Sequence, residues 1–286
     1  MRTFSARPFR CDNLFQAMPA LLSRLRSYFF YVPMVYLYTA IMGAGSLISS
    51  LFDRDGRIQH WFARTWSKMI LGTASCPVTI INPEKLYVGG AAVYVVNHLS
   101  AFDIPTLYAA LPFQFRIMAK KELFRYPVLG WHLSRSGQIP IERENARASL
   151  KSLMKASDTL KAGTSMVVFP EGGRSPNGQL QPFLGGSFYV AIKAQKPIVP
   201  MALIGTYEAL PMNSFHIRPR AFQLVIGDAI STAGYAPREM DKLAALAEDA
   251  VAELYYSRST IERPATEPAD EALRHAQLTE SPEGQG

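Results

Sequence analysis

The stretch VVNHLSAFDIP, Val95–Pro105, sets His98 five residues before Asp103, just where an apolar run gives way to a helix-like pattern. Within one helix, residues five apart point in clearly different directions. Across a strand-to-helix turn, an aspartate in the first helical turn can instead face back toward the histidine. A carboxylate on one imidazole nitrogen fixes the tautomer and leaves the other nitrogen to take a proton from a hydroxyl. That hydroxyl need not belong to the enzyme; it can be the substrate's own. Taken alone, the pair fits a polar histidine at the end of a strand better than a base.

Three further stretches carry chemistry. In FPEGGRS, Phe169–Ser175, Glu171 and Arg174 flank two glycines at the end of an apolar run. Gly172 and Gly173 let backbone N–H groups approach a ligand, and Arg174 offers a bidentate fork, which together make an anion cradle. Glu171 can orient that arginine or accept a hydrogen bond from a polyol. GQIPIER, Gly137–Arg143, ends in a second arginine after a short extended run. In IVP, Ile198–Pro200, a proline interrupts a strand pattern and marks an edge, a bulge or a pocket wall.

Short apolar runs alternate with helical stretches around these motifs. VTII (78–81), AVYVV (92–96), FRIMA (115–119), SMVVF (165–169), IVPMALI (198–204) and FQLVIG (222–227) read as strands. Segments 104–111, 146–162, 185–193 and 237–256 read as helices. The pattern predicts an α/β fold, a layered sheet with flanking helices. His98 then ends one strand, Ser100 is placed to cap the next helix, and Glu171 ends another strand.

Ahead of this region, Ser27–Phe52 contains no charged residue and exceeds the ~20 residues that cross a bilayer core. Pro33 and the Gly43–Gly45 pair allow either a helix or a helical hairpin with 14–25 as its first arm. A membrane anchor over 1–56 is the expectation. RIQHWFARTWSKMIL (57–71) is a basic amphipathic helix that can lie on a bilayer surface or cap the fold. The net charge of +7 fits a membrane surface. No RNP-like, zinc-finger or basic-helix pattern accompanies it, so nucleic acid is set aside as a partner. Cys11 and Cys76 form neither a disulfide framework nor a metal spacing. Residues 259–286, rich in Pro, Glu and Gln, read as a disordered tail.

NHLSAFD, GQIPIER, FPEGGRS and PIVPMAL stand in the order and approximate spacing of the four blocks of the glycerolipid acyltransferases. Over Trp61–Gly227 the sequence resembles that family, in particular its bacterial 1-acyl-glycerol-3-phosphate (lysophosphatidic acid) acyltransferases. The resemblance implies an acyltransferase domain over 57–258, with His98 as general base and Asp103 as its orienting carboxylate. It also implies acceptor binding by Arg143, Glu171, Gly172 and Arg174, with Lys120 or Lys121 as a second phosphate contact. The implied reaction moves an acyl chain from acyl-CoA or acyl-carrier protein to a lysophospholipid in the bilayer. It uses no metal or redox cofactor and runs on the cytoplasmic face of the inner membrane.

Two departures bear on the acceptor. Gly173 stands where the family usually has threonine, and Leu184 where it often has lysine. They keep open a different acceptor: another lysophospholipid, glycerol 3-phosphate or an amino-acid lysolipid. A non-catalytic lipid-binding protein is a more distant alternative. No G-x-S-x-G elbow occurs, which argues against a serine-dependent lipid hydrolase.

Overall fold

The computed structural model describes residues 20–53, 55–86, 89–142 and 145–264. Arg143, the first nineteen residues of the expected anchor and most of the expected tail lie outside them. Seven strands form one sheet: β1 (Val78–Ile81), β2 (Val93–Val96), β3 (Phe115–Lys120), β4 (Ile139–Ile141), β5 (Ser165–Val168), β6 (Ile198–Ile204) and β7 (Phe222–Ile226). Their spatial order is β1-β7-β6-β2-β5-β3-β4. Strands β6, β2, β5, β3 and β4 are mutually parallel, while β7 runs antiparallel to β6 and carries β1 with it.

The central strands are apolar throughout because both faces are covered. Along β2, Val93 and Val95 pack on one side, while Tyr94 and Val96 pack on the other. The first face meets α5 (Ala146–Lys161), α6 (Gly186–Ala194) and α8 (Met240–Tyr256). Leu243, Ala244, Ala247 and Val251 give α8 the three-and-four spacing that places one stripe against the sheet. Asn145 caps α5 by accepting from the Ala148 amide at 3.0 Å. The second face meets α3 (Asp103–Ala110) and α2 (Arg57–Thr73). The sequence pattern missed α4 (Leu129–Arg135) and the single turn α7 (Thr206–Ala209), both too short to show a helical period.

Ala20–Ser49 forms one helix, α1, of 30 residues, long and apolar enough to cross a membrane. Residues Ser27–Tyr31 make a π-helical turn just ahead of Pro33, and the helix continues through Gly43 and Gly45. Of the two forms the sequence allowed, the described residues show a single helix, with 20–25 continuous with the rest, and it packs against α2. Tyr38 bonds Thr73, Trp66 donates to Thr39, and buried Ser46 bonds His132 Nδ1 at 2.7 Å. Buried Ser27, inside the π turn, donates to Phe215 O at 2.6 Å and accepts from Ile217 N at 2.8 Å. Helix α1 is therefore a wall of the folded domain. Its other side leaves Phe29, Ile41 and Ile48 exposed. Helix α2 caps the fold, burying Ile70 and Leu71, yet leaves Trp61 56% exposed.

Pro200 lies on an interior strand rather than at an edge. Pairing of Ile198 with Ile230 and of Met201 with Ile226 sets three steps on β6 against four on the other chain segment. That extra residue is a bulge beside Pro200, where a missing N–H is tolerated.

Candidate active site

The parallel strands β2, β3, β4 and β5 all point their C-terminal ends to one edge of the sheet, where ligands of open α/β sheets bind. Strand β2 delivers NHLSAFD to that edge, and its neighbour β5 delivers FPEGGRS. Asn97 closes β2 with a side chain that acts as backbone. Its Nδ2 donates to Leu203 O at 3.0 Å, and its Oδ1 accepts from Leu203 N at 2.7 Å. The pair fixes where the chain leaves the sheet and turns toward His98.

Asp103 is the first residue of α3 and is fully buried. Its Oδ2 lies 2.7 Å from His98 Nδ1 and also accepts from the amides of Leu99 and Ser100 at 2.7 and 2.8 Å. A carboxylate here only accepts, so Nδ1 carries the proton and Nε2 is left as the basic nitrogen. The helix begins at Asp103, one residue before the expected 104–111 segment, and Ser100 does not cap it. The Ser100 hydroxyl accepts from Phe102 N and donates to Leu210 O instead. The amides of Leu99, Ser100 and Phe102 are thereby committed to side chains. Phe169 stacks on the His98 ring, with centroids 4.1 Å apart and planes 25° apart.

Glu171 has an occupation that the sequence did not suggest. Buried beneath the two loops, its Oε1 accepts from His98 N at 2.6 Å and its Oε2 from Gln181 N at 2.9 Å. It therefore pins the backbone of His98, rather than orienting Arg174 or meeting a polyol as expected. Burial pushes its carboxyl up to about 8, helped by the negative charges of Asp103 and Glu248 and opposed by the two amides. Ser175 N donates to His98 O at 2.8 Å, a second tie between the loops. Arg174 lies between these ties and is exposed. Gly172 has φ +77, a conformation that favours glycine, whereas Gly173 has open space where a side chain would stand.

The two expected lysines lie along the same edge. Lys120 ends β3 and Lys121 follows it; β5 separates β3 from β2, so their backbone is roughly 10 Å from that of His98. Lys121 pairs with Glu142 at 2.7 Å, and Lys120 lies 3.8 Å from Glu122. Asn97 and Phe169, which position the base, went unnoticed in the sequence. The only signal for Phe169 was its place ahead of PEGGR at a strand end.

Two cavities flank the base loop. One, of about 550 Å³, lies between α1, α2 and residues 210–217, with Arg174 in its lining. The other, of about 420 Å³, is bounded by α1, α2, α3 and the 123–133 segment. Trp66, Ala101 and Pro105 line both.

Comparison with known proteins agrees with the motifs. A family model described as Acyltransferase matches residues 77–204. A 1-acyl-sn-glycerol-3-phosphate acyltransferase of Chlamydomonas reinhardtii is 32% identical over 240 residues, 81% of this chain and 70% of its own. The chain belongs to the acyltransferase family. A chloroplastic 1-acyl-sn-glycerol-3-phosphate acyltransferase of Arabidopsis thaliana is 36% identical over 202 residues, 68% of this chain and 55% of its own. One from Pseudomonas aeruginosa is 35% identical over 151 residues, 52% of this chain and 58% of its own. The match spans little more than half the length of several such relatives. The crystal structure of the 1-acyl-sn-glycerophosphate (LPA) acyltransferase of Thermotoga maritima shares the fold. It superposes with a TM-score of 0.66 at 24% identity, covering 82% of this chain and 94% of that one. Within this acyltransferase-family chain, the His98–Asp103 loop and the FPEGGRS loop form one bonded unit at the sheet edge.

Proposed function

We propose that the protein transfers an acyl chain from a thioester, acyl-CoA or acyl-carrier protein, to the free hydroxyl of 1-acyl-glycerol 3-phosphate. The observation that carries this reading is the His98–Asp103 pair, locked beside Arg174 and flanked by two largely apolar cavities. His98 Nε2 takes the hydroxyl proton as the oxygen attacks the thioester carbonyl. The tetrahedral intermediate then collapses, the carbon–sulfur bond breaks, and the thiolate takes the proton from the imidazolium. Asp103 holds the ring and stabilises its positive form without itself taking the proton. Arg174 binds the acceptor phosphate and contributes positioning. Arg143 and one of Lys120 or Lys121 are proposed as further phosphate contacts. The 420 Å³ cavity, with no lysine or arginine in its lining, is proposed to hold the donor's chain.

The exposed apolar side of α1 supports attachment to a membrane, where the acceptor resides. Soluble thioester donors place the sheet edge on the cytoplasmic face of the inner membrane in this reading. A different acceptor is the second reading, favoured by two exposed positions: Gly173 offers no hydroxyl, and Leu184, 49% exposed, brings no cation.

Thiol release by detergent-solubilised protein, measured across a panel of hydroxyl acceptors, tests both. Turnover with lysophosphatidic acid, lost in His98→Ala without a change in melting temperature, is the expected result. An undiminished His98→Ala rate would remove the mechanism. Turnover only with another acceptor would replace the substrate and leave the chemistry standing.

A further inference from the structure

We propose that the 550 Å³ cavity beside Arg174 is the binding site for the acyl chain that the acceptor already carries. The inference rests on the acyl-transfer reading above and adds a site for the second chain. The reaction unites two apolar chains on one glycerol, so each needs a bed that ends at the base. The structure supplies two beds, and they meet at Trp66, Ala101 and Pro105. Ala101 and Pro105 belong to the loop and helix that carry His98 and Asp103.

Successive turns of α1 serve the two cavities in order. Val32, Val35 and Tyr36 face the first, while Thr39, Met42 and Ser46 face the second. From Val32 to Ser46 α1 rises roughly 21 Å, so the two beds follow one another along the same helix on either side of the loop that carries His98. The cavity's volume falls within the ~300–1,000 Å³ of small-molecule sites.

Charge decides which chain goes where. The acceptor carries its phosphate close to its chain, separated by a single glycerol. The donor's chain ends in a neutral thioester. The first cavity includes a guanidinium, Arg174, together with Asn213 and Ser214, over an apolar floor of Val35 and Ile70. Arg174 is also fixed in relation to the base, since the next residue, Ser175, donates to His98 O. A phosphate on Arg174 therefore brings the glycerol to His98 and leaves the chain to run along α1. The far wall is latched to α1 through Ser27, which holds the 215–217 backbone by two hydrogen bonds. This latch keeps the cavity formed without a ligand.

The test compares chain-length profiles. Wild type, Val35→Trp and Met42→Trp are assayed with lysophosphatidic acids of increasing chain length at fixed donor, then with donors of increasing length at fixed acceptor. Filling the first cavity at Val35 should raise KM for long-chain acceptors about tenfold, equivalent to about two methylenes kept out of an apolar bed. Short-chain acceptors and the donor profile should be unmoved. Met42→Trp should shift the donor profile and leave the acceptor profile alone. Val32→Phe repeats the first substitution one turn away, should Val35→Trp fold poorly, and Arg174→Gln should raise KM for acceptors of every length. A shift in donor profile on filling the first cavity, or no shift in either, would overturn the inference while acyl transfer stood. A wild type that releases no thiol with any lysophosphatidic acid would overturn both.

Discussion

Replacing Asp103 by asparagine separates what the residue does by shape from what it does by charge. Asp103 Oδ2 gathers three donors, His98 Nδ1, Leu99 N and Ser100 N, all within 2.8 Å. Only a carbonyl oxygen can sit there, so the asparagine amide has one workable orientation. Its oxygen keeps the three bonds and the histidine tautomer. Its NH2 group falls where Asp103 Oδ1 is buried without a partner. Stability should drop by about 1–3 kcal/mol for that orphaned donor, a few degrees in a thermal melt. Catalysis should drop much further. An imidazolium and a carboxylate ~4 Å apart at an effective dielectric of ~20 attract by on the order of 4 kcal/mol. Without that attraction, kcat should fall about a thousandfold, with KM for the acceptor unchanged because Arg174 is untouched. Asp103→Ala, which removes the acceptor for all three donors, should lose stability as well as activity. Steady-state thiol release and differential scanning fluorimetry on the same preparations measure both quantities. An Asp103→Asn enzyme retaining more than about a tenth of wild-type kcat would show that Asp103 serves only to shape the loop.

Two other outcomes follow from the loop that pins the base. Glu171 holds its proton up to about 8 in the fold against a reference value of 4.5. The unfolded chain releases that proton first, so stability should fall as pH rises from about 4.5 to about 8; Glu171→Gln should flatten that part of the melting-temperature profile, and an unchanged slope would refute the assignment. Gly172→Ala forces a side chain into φ +77 and should cost about 1 kcal/mol, whereas Gly173→Thr enters open space and should leave the melt within about 0.5 kcal/mol of wild type.

Much of this protein was legible in its sequence because much of it is local. Six of the seven strands were placed to within a residue or so, since buried strands must be apolar and the turns between them must break. β4, with only three residues, gave just a short extended run. The chemistry was also local at its centre. His98 and Asp103 lie five residues apart, and a strand-to-helix turn is enough to bring them together.

Residue order alone could not show which strand lies beside β2. Strand β5 begins at Ser165, far along the chain from the end of β2 at Val96, and its pairing with β2 sets Glu171 under the His98 amide. A sequence shows a glutamate beside an arginine and suggests a substrate contact. The fold instead buries its carboxyl and spends both oxygens on backbone. Asn97 and Phe169 went unread for the same reason: their partners, Leu203 and His98, are far away in the chain. The charge-free segment announced an apolar helix but could not say that one side of it would wall two cavities. Composition and periodicity record what each residue prefers; long-range packing decides which preferences meet, and here it brought His98, Arg174 and two largely apolar cavities to one edge of a sheet.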